Sequence, residues 1–241
     1  MSSRRFAPRL TRGEYWILNS LVEHSHSLCG YGYPDRYLWL LFNRQPHGLS
    51  EDELVLTLLG LFNAGWIEGE VDGETTTPFV PDGTTIRAAL QSEFDHSDPD
   101  WPRLLHAATP PIHLRLTSEG GAVWEAFAEP RWEDFIDDFS DSNEPLENRT
   151  VRATRRDHGR QYLRCWAERD RFDPDAVVWK PVSPFPATYW KTLPVGFEAQ
   201  FRCAPQHASG RMAAAEFERI DALTDRALHC ADRFRRWRAW E

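Results

Sequence analysis

The chain has 241 residues, a formal net charge of −9 and 13 % aromatic residues, among them 11 Trp. That length can bury one large core or two modest ones, and so many large apolar side chains exclude a disordered chain. No stretch approaches about 18 consecutive apolar residues, which excludes a membrane-spanning helix. Met1-Ser-Ser-Arg-Arg-Phe6 has no apolar run behind its charges that could act as a signal peptide, so the expected location is the cytoplasm, with no membrane partner.

Cys29, Cys165, Cys203 and Cys230 lie far apart with no C-x-x-C pair, which fits neither a disulfide framework nor a zinc finger; reduced, partly buried thiols are expected. Charge is distributed unevenly: residues 1–48 carry +3, residues 49–146 carry −17 and residues 147–241 carry +5. An acidic middle between basic ends either neutralises itself within the fold or meets a basic partner.

Residues 1–12 form an Arg-rich polar arm. From Thr11, a candidate N-cap, Tyr15, Trp16, Leu18, Leu21 and Val22 recur at helical spacing to about His24. Gly30-Tyr-Gly-Tyr-Pro34 breaks the pattern, and Pro34 opens a second expected helix carrying Tyr37, Leu38, Leu40, Leu41 and Phe42, ended by Gly48. Ser50 followed by Glu53 is a capping box. It starts a third helix to about Asn63 that buries Leu54, Leu58, Leu61 and Phe62, with Val55 and Leu59 widening the stripe. Gly65 stops it, and Trp66-Ile67 begins a strand.

An excursion of about 40 residues follows, with a helix expected at 83–93, before the alternating strand Ile112-His-Leu-Arg-Leu116. Thr117 or Ser118 then caps a helix with Val123, Trp124 and Phe127. An acidic run, Glu133 to Phe139, leads to the linker-like Ser140-Asp-Ser-Asn-Glu-Pro145.

The C-terminal part is Arg-dense from Arg149 to Arg171, with a helix expected at about 157–169 that turns Tyr162, Leu163 and Trp166 inward. Strands at 187–192 and 197–203, joined by Leu193-Pro-Val-Gly196, are expected to form a hairpin. A final helix at about 210–238 carries Phe217, Ile220, Leu223, Ala227, Leu228, Ala231 and Phe234 as a stripe. The stripe packs on its own hairpin or makes a homodimer.

Three helices, a strand, an excursion, a returning strand and a capped helix, with the Leu-rich third helix ending in Gly-Trp-Ile and the strand running into Leu116-Thr-Ser-Glu-Gly120, resemble the winged helix-turn-helix superfamily over residues 11–130. The long excursion in the wing departs from its pattern. The expected fold class is α+β: a winged-helix-like domain at 1–139, a linker at 140–146, and an α+β domain at 147–241 with a β-hairpin and a long terminal helix.

The resemblance implies DNA binding, with the third helix in the major groove and the wing on the backbone. Its outer face would then be Glu51, Asp52, Thr57, Gly60 and Asn63, and its wing Glu68-Gly-Glu-Val-Asp-Gly-Glu74. No basic residue lies between Ser50 and Arg87, whereas non-specific affinity rests on cations neutralising phosphates. This surface repels DNA. The leading expectation is therefore a non-enzymatic protein that contacts a basic protein partner through Glu51, Asp52, Thr57 and Asn63. The alternative is a DNA-binding transcriptional regulator using the Arg clusters, with Arg4, Arg5, Arg152, Arg155, Arg156, Arg160, Arg235 and Arg236 as contacts. The other reading of those clusters is docking against the acidic middle.

An enzyme assembled from residues distant in sequence is the third reading. No G-x-S-x-G and no Cys-centred signature marks catalytic residues, and neither G-x-G-x-x-G nor a Walker loop marks a cofactor. His24, His26 and Cys29 gather three metal-ligand types, without the fourth that structural zinc takes.

Overall fold

The computed structural model describes residues 9–32, 47–71, 79–92, 94–95, 103–104, 112–143, 146–203 and 214–232, and mixes helix and sheet as an α+β protein. The chain divides into two units. The first holds the described residues up to Ala128 together with Thr188–Trp190, and the second holds Glu129–Ala187 and the described residues from Lys191 onward.

Two capping boxes start the helices of the first unit. Thr11 accepts from the Glu14 amide while Glu14 accepts from the Thr11 amide, opening α1 (Arg12–Ser20). The helix ends sooner than its apolar spacing suggests, at Ser20, yet Leu21 and Val22 stay buried beyond it. The expected second helix lies outside the described residues. Ser50 and Glu53 open α2 (Glu51–Asn63) in the same reciprocal way. Leu54, Val55, Leu58, Leu61 and Phe62 of α2 are buried, each such side chain contributing roughly 1.5–3 kcal/mol. Gly65 takes φ +71°, and the Gly65 and Trp66 amides bond back to the Phe62 and Leu61 carbonyls, a Schellman stop that satisfies two orphan acceptors.

The chain then turns into β2 (Ile67–Val71), which pairs antiparallel with β5 (Ile112–Leu116); β5 also pairs with the short β1 (His26–Ser27), giving the sheet order β1-β5-β2. Ile112, Leu114 and Leu116 are buried on one face of β5. Thr117 Oγ1 accepts from the Gly120 amide and donates to the Gly65 carbonyl, starting α4 (Ser118–Ala128) directly against the α2 stop. Gly120 is glycine because the Trp66 backbone lies where its Cβ would be. From the excursion, α3 (Gly83–Leu90), capped by Asp82, buries Ile86 and Leu90 and packs on α2 and on the 3-10 turn Leu28–Gly32. The pair β3 (Phe94–Asp95) and β4 (Arg103–Leu104) completes the described excursion.

Thr188–Trp190 belongs to this unit, not to a C-terminal hairpin. Tyr189 Oη accepts from the Leu116 amide and donates to the Leu21 carbonyl, both at 2.7 Å, and Trp190 Nε1 donates to the Val22 carbonyl at 2.9 Å. Burial pushes the Tyr189 hydroxyl up. Trp190 stands edge-on to the fully buried Trp124, over Gly121.

The second unit is a four-stranded antiparallel sheet of order β6-β7-β11-β8, formed by β6 (Ile136–Asn143), β7 (Leu146–Ala153), β8 (Trp179–Val182) and β11 (Gly196–Cys203). Residues 140–143, expected in a linker, are thus strand. Opposite charges across the hairpin, such as Asp137 facing Arg152, offset the poor strand propensity of its Ser and Asp residues. The strand expected at 197–203 is present, but it pairs with β7 and β8, while Thr192–Leu193 (β10) pairs with Phe185–Pro186 (β9).

Helix α5 (Arg156–Asp170) packs on β7 and β11, and α6 (Ala214–Asp232) packs on α5. Val151, Ala153, Tyr162, Leu163, Trp166, Trp179, Ala199, Ala227 and Ala231 form the core between them. Ala227 and Ala231 of the α6 stripe lie in that core and Ile220 and Leu223 are also buried, while Leu228 is 44 % exposed instead of inward. No helix among the described residues is long and apolar enough to cross a membrane.

Candidate functional site

The face proposed for a basic protein partner has already found a cation. Arg87 of α3 bonds Glu51 Oε1 and Asp52 Oδ1, each at 2.7 Å, and Gln91 Nε2 reaches Glu51 at 3.0 Å. Thr57 hydrogen-bonds the Glu53 carbonyl within its own helix, and Asn63 is exposed. Helix α3 therefore both covers part of α2 and neutralises two of its carboxylates. In the strand that was to be the wing, Glu70 pairs with Arg115 at 3.0 Å.

The metal-ligand types do not converge either. His26 is buried on β1 opposite Leu114, its pKa lowered to about 4 by burial and by His24, and the Cys29 thiol, pushed up by burial, lies 2.8 Å from Ser27 Oγ. Cys29 and Cys203 are buried and in no disulfide, and no group of three metal-ligand side chains occurs among the described residues.

The Arg clusters separate into two kinds. Arg4, Arg5, Arg235 and Arg236 lie outside the described residues. Arg152 is on β7, pairs with Glu198 of β11 at 3.0 Å and lies over the Phe139 ring. Arg149 is buried, bonded to Asp138 and Asp170, with Tyr162 Oη donating to Asp138 at 2.8 Å and the guanidiniums of Arg149 and Arg169 both against the Trp166 ring. Burial opposes the Arg149 charge, but the Asp138 hydrogen bond and the two carboxylates outweigh it and raise its pKa. This network is internal structure.

At the head of α5 the pattern changes. Arg155, at the N-cap, bonds Asp157 through Nε and Nη2, and that hydrogen bond holds the Asp157 carboxyl below its usual range. Arg164 reaches Asp175 at 2.8 Å. Between them, Arg156 and Arg160 are exposed and are the described arginines of the second unit with neither a carboxylate nor a hydrogen-bond partner. Both line a cleft of about 580 Å³ with Thr154, Arg155, Asp157, Gln161, Arg164 and Phe197.

Helical spacing sets this arrangement. Arg156, Arg160 and Arg164 follow at steps of four, so they form a stripe rising about 6 Å per arginine. No side chain caps the α5 N-terminus, so its first amides and the positive end of the helix dipole add to the same field. Thr154 Oγ1 is buried without a partner. The described lining contains four guanidiniums and one carboxylate, a set suited to holding an anion. The sequence reading contained Arg155, Arg156 and Arg160; it missed Thr154, Gln161 and Phe197. The step-of-four spacing through Arg164 was the available signal for the stripe.

Fold and cleft together give a two-unit α+β protein with an arginine-lined cleft at a helix head. Comparison with protein-family models, curated proteins and solved structures finds no match to the chain in any of the three.

Proposed function

We propose that the protein acts by binding nucleic acid through the arginine stripe of α5, without catalysing a reaction on it. The observation that carries this reading is the pairing pattern. Arginines elsewhere in the described second unit have partners, while Arg156 and Arg160 stand side by side over one cleft without any. In this reading the first unit is a winged-helix-like scaffold, and α2 does not read DNA because α3 lies against it and its first turn is acidic. A typical duplex site uses roughly 6–10 phosphate contacts, and a stripe of three arginines supplies fewer. Binding is accordingly of the weak, salt-sensitive kind.

Fluorescence anisotropy of labelled mixed-sequence oligonucleotides with the full chain tests this. The logarithm of affinity should fall linearly with the logarithm of salt, and Arg156→Glu with Arg160→Glu should abolish binding at low salt. Absence of binding by the unaltered protein at low salt refutes the reading.

A second reading, a basic protein partner on the outer face of α2, is favoured by Leu56, 68 % exposed on the strip Asp52, Leu56, Gly60 and Asn63. A stoichiometric complex that survives Leu56→Lys would remove it.

A further inference from the structure

Resting on the nucleic-acid reading, we infer that the α5 cleft takes a single strand, with phosphates on the arginine stripe and a base against Phe197. Size is the first reason. The cleft is open to solvent and about 580 Å³ in volume, room for one or two nucleotides. A duplex would meet the exposed stripe from outside and leave the cleft floor unused.

The lining is the second reason. Phe197, the second residue of β11, lies opposite Ala153 on one side and Pro181 on the other and is only partly covered by the core it packs on. Its remaining surface lies in the cleft, where an aromatic beside guanidiniums is the combination that binds unpaired bases: stacking tolerates any sequence, and the cations follow the backbone. Arg156, Arg160 and Arg164 span about 12 Å along the helix, so successive phosphates of an extended strand can each meet one arginine. Both Arg155 and Arg164 can exchange exposed carboxylate partners, Asp157 and Asp175, for phosphate at small cost, because exposed ion pairs contribute roughly 0–1 kcal/mol.

An uncharged hydrogen-bonding group is the third reason. Gln161, exposed in the cleft lining, presents both donors and an acceptor. Phosphate needs donors only, whereas a base edge needs both kinds. Asp157, an acceptor among the arginines, fits an amino or imino donor of a base and not a phosphate oxygen.

The test uses the full chain and a labelled oligothymidylate, with duplex of equal length and thymidine monophosphate as competitors, all at one low salt concentration. The single strand should bind at least about tenfold more tightly than the duplex, and the mononucleotide should compete only at far higher concentration. Phe197→Leu, which keeps an apolar side chain on the core, should weaken single-strand binding roughly five- to a hundredfold and leave the salt slope unchanged. Arg156→Ala with Arg160→Ala should reduce the slope by about 1.4, two phosphates at about 0.7 each. Circular dichroism of each variant checks that it is folded.

Equal or tighter duplex binding, equal competition by the mononucleotide, or an unaltered affinity in a folded Phe197→Leu protein overturns the single-strand inference and leaves charge-driven binding standing. Failure of the unaltered protein to bind any of the nucleic acids overturns both.

Discussion

Replacing Arg149 with alanine should destabilise the second unit far more than replacing any exposed arginine. The side chains of Arg149, Asp138 and Asp170 are 8 %, 8 % and 6 % exposed, so removing the cation strands two carboxylates away from water. Losing one member of a buried ion pair typically costs about 3–5 kcal/mol, because the remaining charge stays buried. Two contacts soften the loss here: Tyr162 Oη still donates to Asp138, and Arg169 still holds Asp170 at 2.9 Å. The lower end, about 3 kcal/mol, is therefore expected. With a urea slope near 2 kcal/mol/M, the midpoint of that unit's unfolding should fall by about 1.5 M, read by circular dichroism or by hydrogen exchange of the β7 amides. The triple change Arg149→Met, Asp138→Asn and Asp170→Asn should recover part of the loss, since it leaves no buried charge without a counter-charge. A single variant shifted by less than about 0.3 M, or a triple variant no better than the single one, would refute the reasoning.

Two further outcomes follow from the first unit. Tyr189→Phe removes the hydroxyl shared by the Leu116 amide and the Leu21 carbonyl. It should cost about 1–3 kcal/mol and lower the melting temperature by about 3–10 °C; an unchanged thermogram would show that water replaces the hydroxyl. His26 titrates at about 4 in the fold against 6.5 ordinarily, so the unfolded chain binds its proton first as pH falls. Its contribution is complete above about pH 6.5 and is lost progressively toward pH 4, amounting to about 2 kcal/mol at pH 5. Denaturation at pH 7.5 and pH 5 should show this loss, His26→Gln should flatten it, and an equally steep dependence in that variant would assign it elsewhere.

Much of the first unit was legible because its signals are local. The Ser50 and Glu53 box, the Gly65 stop and the Ile112, Leu114 and Leu116 alternation each lie within a few residues, and each forms as read. Interactions between distant segments were not legible. Ser140 to Asn143 are polar enough to suggest a linker, and only pairing with Arg149 and its neighbours makes them a strand. Tyr189 and Trp190 have strand propensity, but carbonyls at Leu21 and Val22 decide their place. The acidic start of α2 looked available until Arg87, 36 residues on from Glu51, was found on it. The same limit applied at the cleft, because which arginines are free depends on where Glu198 and Asp175 lie.

The Tyr189 and Trp190 contacts also bear on how the chain acquires its structure as it is made. Both join residues 168 positions apart in sequence, and the hydroxyl they involve sits between Leu21 and the end of β5. Residues up to Ala128 leave the ribosome well before Tyr189 is synthesised, at about 5–20 residues per second. During that interval the Leu21 and Val22 carbonyls and one face of Trp124 await partners that do not yet exist. The N-terminal unit cannot finish first, even though it comes first, and its last bonds form only after most of the following unit has been made.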